Sequence, residues 1–173
     1  MYEDWNDTLK IKHPVIDDEH KILINIFSEY RDLLISHERS NQKLEILFQK
    51  INHFITLHFI DEEKIMDSFP YKGGNNHKEI HKVMLKNVEF FIELFTVDPA
   101  SFDHSHFLVF LQQWIVYHIK LQDSKMISEL NKYQNKMFLI DMFSNFKIYL
   151  LKLEVKIKHL IYMVSSFLSK KQK

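Results

Sequence analysis

Four stretches of the chain carry apolar residues at the three- and four-residue spacing that buries one face of a helix. They cover about residues 17–34, 43–67, 77–97 and 104–131, after an irregular arm over residues 1–16. Only two glycines and three prolines occur in 173 residues, so few positions break helices. The pattern predicts an all-α, up-down-up-down four-helix bundle with short loops.

Side chains of metal-ligand type interrupt these apolar faces. His58 and Glu62 are four residues apart, as are His77 and His81, and positions four apart lie on one face of a helix. Burying a carboxylate such as Glu62 is costly unless it is paired or binds a metal ion. The inward-facing ligand types are five imidazoles and two carboxylates: His20, His58, Glu62, His77, His81, His118 and Asp123.

The spacing of Asp123 from His118 differs from the four-residue spacing of the other ligand pairs. Asp123 follows His118 by five residues, which on a regular helix turns it about 140° away. A long-reaching bridge or a local distortion such as a π-bulge is needed to bring the two side chains together, and π-bulges occur at functional sites.

Seven side chains exceed what one metal ion can use, whereas two ions bridged by the carboxylates can use all seven. The chain has no cysteine, which excludes thiolate ligands and disulfides. The sequence therefore predicts a two-metal site of histidine and carboxylate in the core of the bundle. The residues alone leave the identity of the metal open, zinc and other divalent ions included, because imidazole ligands suit several metals.

The chain resembles the hemerythrins, in particular the bacterial hemerythrin-like proteins, over about residues 5–130. The motifs that carry the resemblance are Trp5 fifteen residues before His20, Ile16-Asp17, His58-Phe59 with Glu62-Glu63 and Met66, Pro70-Tyr71, His77 with His81, and Trp114 with His118-Ile119 and Asp123. The resemblance implies a non-haem centre of two iron ions with an oxo or hydroxo bridge. One iron would be held by His77, His81 and His118, the other by His20 and His58, and the bridging carboxylates would be Glu62 and Asp123.

The resemblance also implies reversible binding of dioxygen at an open position of the second iron. We expect the oxygen pocket to be lined by Ile24, Phe59, Trp114, Ile119 and Lys120. Lys120 is a departure, because oxygen-carrying members often place a leucine two residues after the matching histidine. If its amine pointed inward the pocket would be more polar, and if the amine reached solvent little would change.

The function we expect is reversible dioxygen binding for storage, delivery or buffering, so the chain is more a ligand-binding protein than an enzyme. One alternative is an oxygen or redox sensor that signals through the C-terminal helix. Another is a di-iron enzyme acting on peroxide, nitric oxide or ferrous iron. No secretory signal is visible at the N-terminus, which favours a cytoplasmic protein. Nothing in the sequence indicates a nucleic-acid surface.

About forty residues follow the predicted bundle, so we divide the chain into a bundle, 1–130, and a C-terminal helical extension, 131–173. Lysines interrupt this segment, so it contains no membrane-spanning run. Its net charge over residues 129–173 is +6, against −6 for residues 1–128. This contrast permits docking on the acidic bundle or on an anionic membrane.

A long amphipathic helix is predicted in the extension. Apolar residues alternate four and three apart, as in a coiled-coil seam, from Leu139 to Phe167. A second stripe contains Ile148, Val155 and Tyr162. Because a helix with two apolar faces needs partners, we expect homodimerisation through residues 139–167.

Overall fold

The computed structural model describes the backbone of residues 6–170 and the side chains of residues 6–154. A short 3₁₀ turn, Asp7–Leu9, precedes the helices. Four helices form an up-down-up-down bundle, and an additional long helix follows them. They are α1 (Pro14–Ile35), α2 (Asn41–Asp67), α3 (Gly74–Val97), α4 (His104–His118) and α5 (Ser124–Lys170), with a π-helical turn, Ile119–Asp123, between α4 and α5.

Helix α1 begins three residues before the position that the sequence predicted. Pro14 occupies its first turn, where the missing N–H costs nothing, and the ring of His13 accepts a hydrogen bond from the backbone N–H of Ile16. Asp17, which we expected at the helix start, instead accepts a hydrogen bond of 2.8 Å from the backbone N–H of Ile11. This carboxylate therefore ties the N-terminal arm to the first turn of α1.

Side-chain caps fix two other helix starts. The hydroxyl of Ser40 accepts from the N–H of Lys43 at the start of α2, and the carboxylate of Asp103 accepts from the N–H of His106 at the start of α4. Each cap satisfies a backbone donor that has no partner within the helix. The predicted ends of α2 at Asp67 and of α3 before Asp98 are confirmed.

The bundle core has an apolar part and a polar part. The polar part contains the seven candidate metal ligands. Helix α1 packs against α2 and α4, and α2 packs against α3. Aromatic rings fill the apolar part: Phe48 contacts the rings of Tyr30, Phe95 and Phe107 at centroid distances of 5.4, 4.6 and 5.0 Å. Such rings bury large areas and make this region the main apolar contribution to bundle stability.

The chain divides into two compact units, residues 1–130 and residues 131–173. The first contains the bundle. The second is the C-terminal part of α5, and between residues 137 and 153 it exposes twelve large apolar side chains. The side chains of the predicted seam beyond Leu153, and Trp5 at the other end of the chain, lie outside the described residues. None of the helices described here is long and apolar enough to cross a membrane.

Candidate metal centre

The structure buries all seven candidate ligands together. Each has at most 2% of its surface exposed, which is unusual for ionisable side chains. Helix α1 supplies one of them, α2 two, α3 two, α4 one and the π-helical turn one. In chain order they are His20, His58, Glu62, His77, His81, His118 and Asp123.

Two overlapping groups of ligand atoms form within this cluster. In each group, one atom from every member lies within 4.8 Å of one atom from every other member. The first group joins Glu62 to three histidines, and the second joins Glu62 and Asp123 to two. The members are Glu62, His77, His81 and His118 in the first, and His20, His58, Glu62 and Asp123 in the second.

Asp123 faces both groups through its two oxygens. Its Oδ1 lies 3.1 Å from Nε2 of His77 and 3.1 Å from Nε2 of His118. Its Oδ2 lies 3.2 Å from Nε2 of His20. A carboxylate placed in this way can bridge two metal ions.

The π-helical turn explains how Asp123 reaches this position. A spacing of five residues does not stack on an α-helix, whereas the wider π turn joins residues five apart through i to i+5 hydrogen bonds. The turn begins immediately after His118 and ends at Asp123. The local distortion that the sequence required is therefore present, at the residue pair that needed it.

Several buried polar atoms of this cluster have no hydrogen-bond partner within the protein. Among the described side chains they include both oxygens of Glu62, both oxygens of Asp123, both ring nitrogens of His20 and Nε2 of His58. Several of these atoms approach others to about 3 Å but without the angles of a hydrogen bond. Unpaired buried groups of this kind are strongly destabilising in a folded chain.

Three imidazole nitrogens also converge in the first group. Nε2 of His118 lies 3.1 Å from Nε2 of His77 and 3.2 Å from Nε2 of His81. Nitrogen atoms facing one another at this distance need a cation between them or a shared proton. Imidazole and carboxylate are donors that suit iron and zinc, so the residues present fit a pair of such ions.

Mutual charge stabilises the ionised carboxylates. Burial and the neighbouring Asp123 raise the pKa of Glu62, but the surrounding histidines outweigh both and hold that pKa at about 2. The pKa of Asp123 is likewise well below its ordinary value, because the contacts with His118, His20 and His77 outweigh burial. Burial lowers the pKa of His118, but the two carboxylates raise it to about 9. The pocket therefore attracts positive charge, whether protons or metal ions.

Two carboxylates outside the cluster orient histidines within it. Oε2 of Glu19 lies 2.8 Å from Nδ1 of His58, and Oε1 of Glu63 lies 3.1 Å from Nδ1 of His81. An Nδ1–H that donates to a carboxylate leaves Nε2 as an acceptor aimed at the cluster. Sequence reasoning missed both glutamates. Their positions beside His20 and Glu62 in the chain were the available signal.

Apolar side chains surround the histidines. The ring of Phe59 stacks on His81 at 3.8 Å, and Trp114 lies parallel to His118 at 6.1 Å. Ile119 is fully buried, and Ile24, one turn after His20 on α1, is 4% exposed. These four residues were expected to line an oxygen pocket, and the structure places them in or beside the bundle core.

Lys120 lies apart from the buried cluster. It is exposed, and it contributes to a surface groove with Val109, Val116 and Tyr117 on α4. The inward orientation considered from the sequence is therefore not the one that the structure has. The amine of Lys120 therefore does not make the region around the buried cluster more polar.

A second groove of about 690 Å³, lined by α3, α4 and the π-helical turn, reaches the cluster at His118. Its lining includes Val83 and Met84 from α3 and Trp114, Tyr117 and His118 from α4. His118 is therefore the candidate ligand that this groove approaches.

The chain is similar to known proteins over the bundle. A family model described as "Hemerythrin HHE cation binding domain" matches residues 13–130. Myohemerythrins from Theromyzon tessulatum and Sipunculus nudus are 29% and 30% identical over 121 and 122 residues; in both cases the match covers 70% of this chain and 88% of the relative.

A bacterial relative and a solved structure extend the comparison. A bacteriohemerythrin from Clostridium acetobutylicum is 26% identical over 130 residues, which cover 71% of this chain and 97% of the relative. The crystal structure of a hemerythrin point mutant aligns with a TM-score of 0.67 and 18% identity, over 74% of this chain and 96% of that one. That structural likeness confirms the bundle fold. The family match ends at residue 130.

Proposed function

We propose, for a chain that belongs to the hemerythrin family, that its bundle holds two iron ions and binds dioxygen reversibly. At the level of the family, di-iron centres and oxygen binding are established. What we add for this chain is the assignment of ligands and the reversibility. We also assign the role of storage, delivery or buffering to it.

The ligand assignment follows the two groups of atoms. Three histidines would hold one iron and two histidines would hold the other, and both Glu62 and Asp123 would be shared by the two irons. The imidazole ligands are His77, His81 and His118 for the first iron and His20 and His58 for the second. With one imidazole fewer, the second iron keeps a position for a ligand from outside.

The single observation that carries the proposal is the set of orphaned atoms. Both oxygens of Glu62 and of Asp123 are buried and lack hydrogen-bond partners, while imidazole nitrogens face them and one another. Two cations would satisfy all of these atoms at once. Core histidines placed for packing alone would be expected to find hydrogen-bond partners within the protein.

Reversible binding is favoured over oxygenation by the charge of the ligand set. Two carboxylates and five imidazoles give less negative charge than the glutamate-rich di-iron sites of ferritin-like bundles. Less negative charge stabilises highly oxidised iron less. When bound, the iron pair supplies the electrons and the open coordination position that dioxygen binding requires.

This chain's own residues would protect that chemistry. Water would be kept from the histidines by Phe59, which stacks on His81, and by the buried residues Ile119 and Ile24. A dry pocket limits the access of protons. Glu19 and Glu63 hold His58 and His81 with Nε2 directed at the cluster. The protein would therefore keep its ligands preorganised and its pocket apolar.

The test is the optical spectrum of the reduced, iron-loaded protein through cycles of air and argon. We expect a charge-transfer band that appears with air and disappears when oxygen is removed, over several cycles. A band that forms once and does not reverse would contradict reversible binding and favour the enzyme or redox-sensor alternative. A matched control is Glu45→Ala, which changes an exposed glutamate on α2 and should cycle like the parent.

A sensor is the second candidate, and one observation favours it. Asp123 is followed at once by α5, which runs as one helix from Ser124 to Lys170. A change at this carboxylate would act on the first turn of that helix. The test compares the oxidised and reduced forms of the full chain and of a chain that lacks residues 132–173. If oxidation changes neither the oligomeric state nor partner binding in either chain, the case for a sensor is removed.

A further inference from the structure

The C-terminal part of α5 exposes apolar side chains that a single chain leaves uncovered. Between residues 137 and 153, twelve large apolar residues are exposed, among them Phe143 (63%), Phe146 (58%) and Leu150 (47%). Exposed apolar surface of this extent in one segment marks an interaction site. A helix that is apolar on more than one face is normally enclosed by other elements.

Heptad spacing defines one continuous stripe on this helix, which we call the seam. Its residues are Leu139, Phe143, Phe146, Leu150, Leu153, Ile157, Leu160, Val164 and Phe167. The intervals alternate four and three without a break over about four heptads, which is the length that indicates a coiled coil. The backbone of the whole stripe lies within the single helix α5.

The residue types along the seam favour two parallel strands. Heptad positions a and d alternate along the seam. Counting from Leu139 as d, the a positions are Phe143, Leu150, Ile157 and Val164, and the d positions are Leu139, Phe146, Leu153, Leu160 and Phe167. β-branched residues at a, combined with leucine at d, are the preference of parallel two-stranded coiled coils. The second half of the seam, with Ile157 and Val164 at a, therefore favours a pair of parallel helices.

Charged residues flank the seam on both sides. Lys147 and Glu154 occupy position e and Lys156 occupies position g, while the other six e and g positions between residues 140 and 168 are apolar. In a coiled coil these two positions border the interface and carry its charges.

The seam also offers enough area for a stable pairing. Three of its nine residues are phenylalanines, which bury about 150–250 Å² each when enclosed. They alone approach roughly 450 Å² of the about 800 Å² per partner that a specific interface of standard size buries. The six aliphatic residues supply the remainder.

We propose that this protein is a homodimer, and that a second copy covers the seam of residues 139–167 in a parallel two-stranded coiled coil. This proposal does not depend on the metal centre, because all of its residues lie after residue 130. Iron loading and oxygen binding can therefore fail while the dimer stands, and the reverse also holds.

The first test is sedimentation equilibrium of the full chain at about 10 μM. We expect twice the chain mass of 21.1 kDa. The double substitution Phe146→Lys with Leu150→Lys should weaken dimerisation by at least about 100-fold, because it places charge at two central seam positions. The control Ile148→Lys changes an equally exposed apolar residue on the far side of the helix and should leave the dimer intact.

The second test uses the absence of native cysteine. In a parallel coiled coil identical seam positions face each other, so Leu139→Cys should form a disulfide with its own copy on mild oxidation. In an antiparallel one Leu139 would face Val164 of the other copy and would not link to itself. Ile148→Cys, on the far side, should stay unlinked.

Several results would overturn the proposal. They are a monomeric mass, a dimer that survives the double lysine substitution, and equal disulfide yields at positions 139 and 148. A monomer that cosediments with vesicles of phosphatidylcholine and phosphatidylserine would identify a membrane surface as the partner instead.

Discussion

The bundle and the C-terminal part of α5 depart from the usual distribution of polar and apolar groups in opposite directions. In the bundle, seven ionisable side chains are almost completely buried, and several of their atoms lack partners. Between residues 137 and 153, twelve large apolar side chains are exposed. Both departures cost free energy in an isolated chain.

The two departures indicate two different kinds of binding partner. A buried set of imidazoles and carboxylates is suited to bind cations, whereas an exposed apolar stripe at heptad spacing is suited to pack against another helix. The family match reaches only the first region, residues 13–130. All seven candidate ligands lie within the family match, whereas the surface of α5 beyond residue 130 must be understood from its own residues.

The largest effect expected is that of Glu62→Ala, which removes the carboxylate shared by both ligand groups. We expect iron content to fall from two per chain to one or none, because the remaining buried charges lose their compensation. The loaded protein should lose about 3–5 kcal/mol of unfolding free energy. Metal analysis and thermal unfolding measure both, with Glu45→Ala as the control. A variant that keeps two irons and its spectrum would contradict the bridging role.

The apolar half of the bundle should respond differently. Phe48→Ala empties a site that is 1% exposed and whose ring contacts include none of the candidate ligands. We expect a loss of about 3–5 kcal/mol in chemical denaturation. The loss should be similar with and without iron, and iron content should stay at two per chain. Phe90→Ala, at a ring that is 56% exposed, serves as the control. A loss seen only in the iron-loaded protein would show that the two halves are coupled.

The glutamates that orient histidines should have a smaller effect. Glu63→Gln weakens the contact to Nδ1 of His81, and we expect iron affinity to fall by about 10–100-fold, since partners of this kind position metal ligands. Competition with a chelator measures the change. Glu29→Gln, which loses an exposed ion pair with Lys50, should leave affinity unchanged. Equal affinities for the Glu63→Gln variant and the parent would mean that packing alone holds His81.

The smallest effect expected is a pH dependence at the far end of the bundle. Burial and Arg39 lower the pKa of His104, whose Nδ1 lies 2.6 Å from the hydroxyl of Tyr30. The unfolded chain therefore binds a proton at higher pH than the folded one, so this contribution to stability is lost as pH falls from the ordinary histidine range toward the lowered pKa.

Urea unfolding midpoints at several pH values, compared with those of His104→Asn, isolate the effect of this histidine. The ligand histidines are common to both proteins, so their titration cancels in the difference. We expect the parent to lose more stability on acidification than the variant. A parallel pair of pH curves would contradict the assignment.

The sequence was sufficient for α1, α2 and α3 to within three residues at each end, and for the burial of the seven ligand types, because residues three and four apart share a helical face. The predicted end of the fourth helix at residue 131 was wrong, because that residue lies inside α5. The sequence also required a distortion between His118 and Asp123, and the π-helical turn supplies one. It was insufficient for Glu19 and Glu63, since neighbours in sequence point in different directions on a helix. The same limit applies to His104, whose hydrogen bond to Tyr30 joins residues far apart in the sequence. Contacts between helices decide such positions.

The most direct test of the central claim is the number of metal ions per chain. Metal content and protein concentration are both measured after expression in iron-supplemented medium. We predict two irons per chain for the parent, and fewer than two for Glu62→Ala. Two zinc ions, or a protein that folds stably with no bound metal and retains its buried cluster, would contradict the assignment of a di-iron centre.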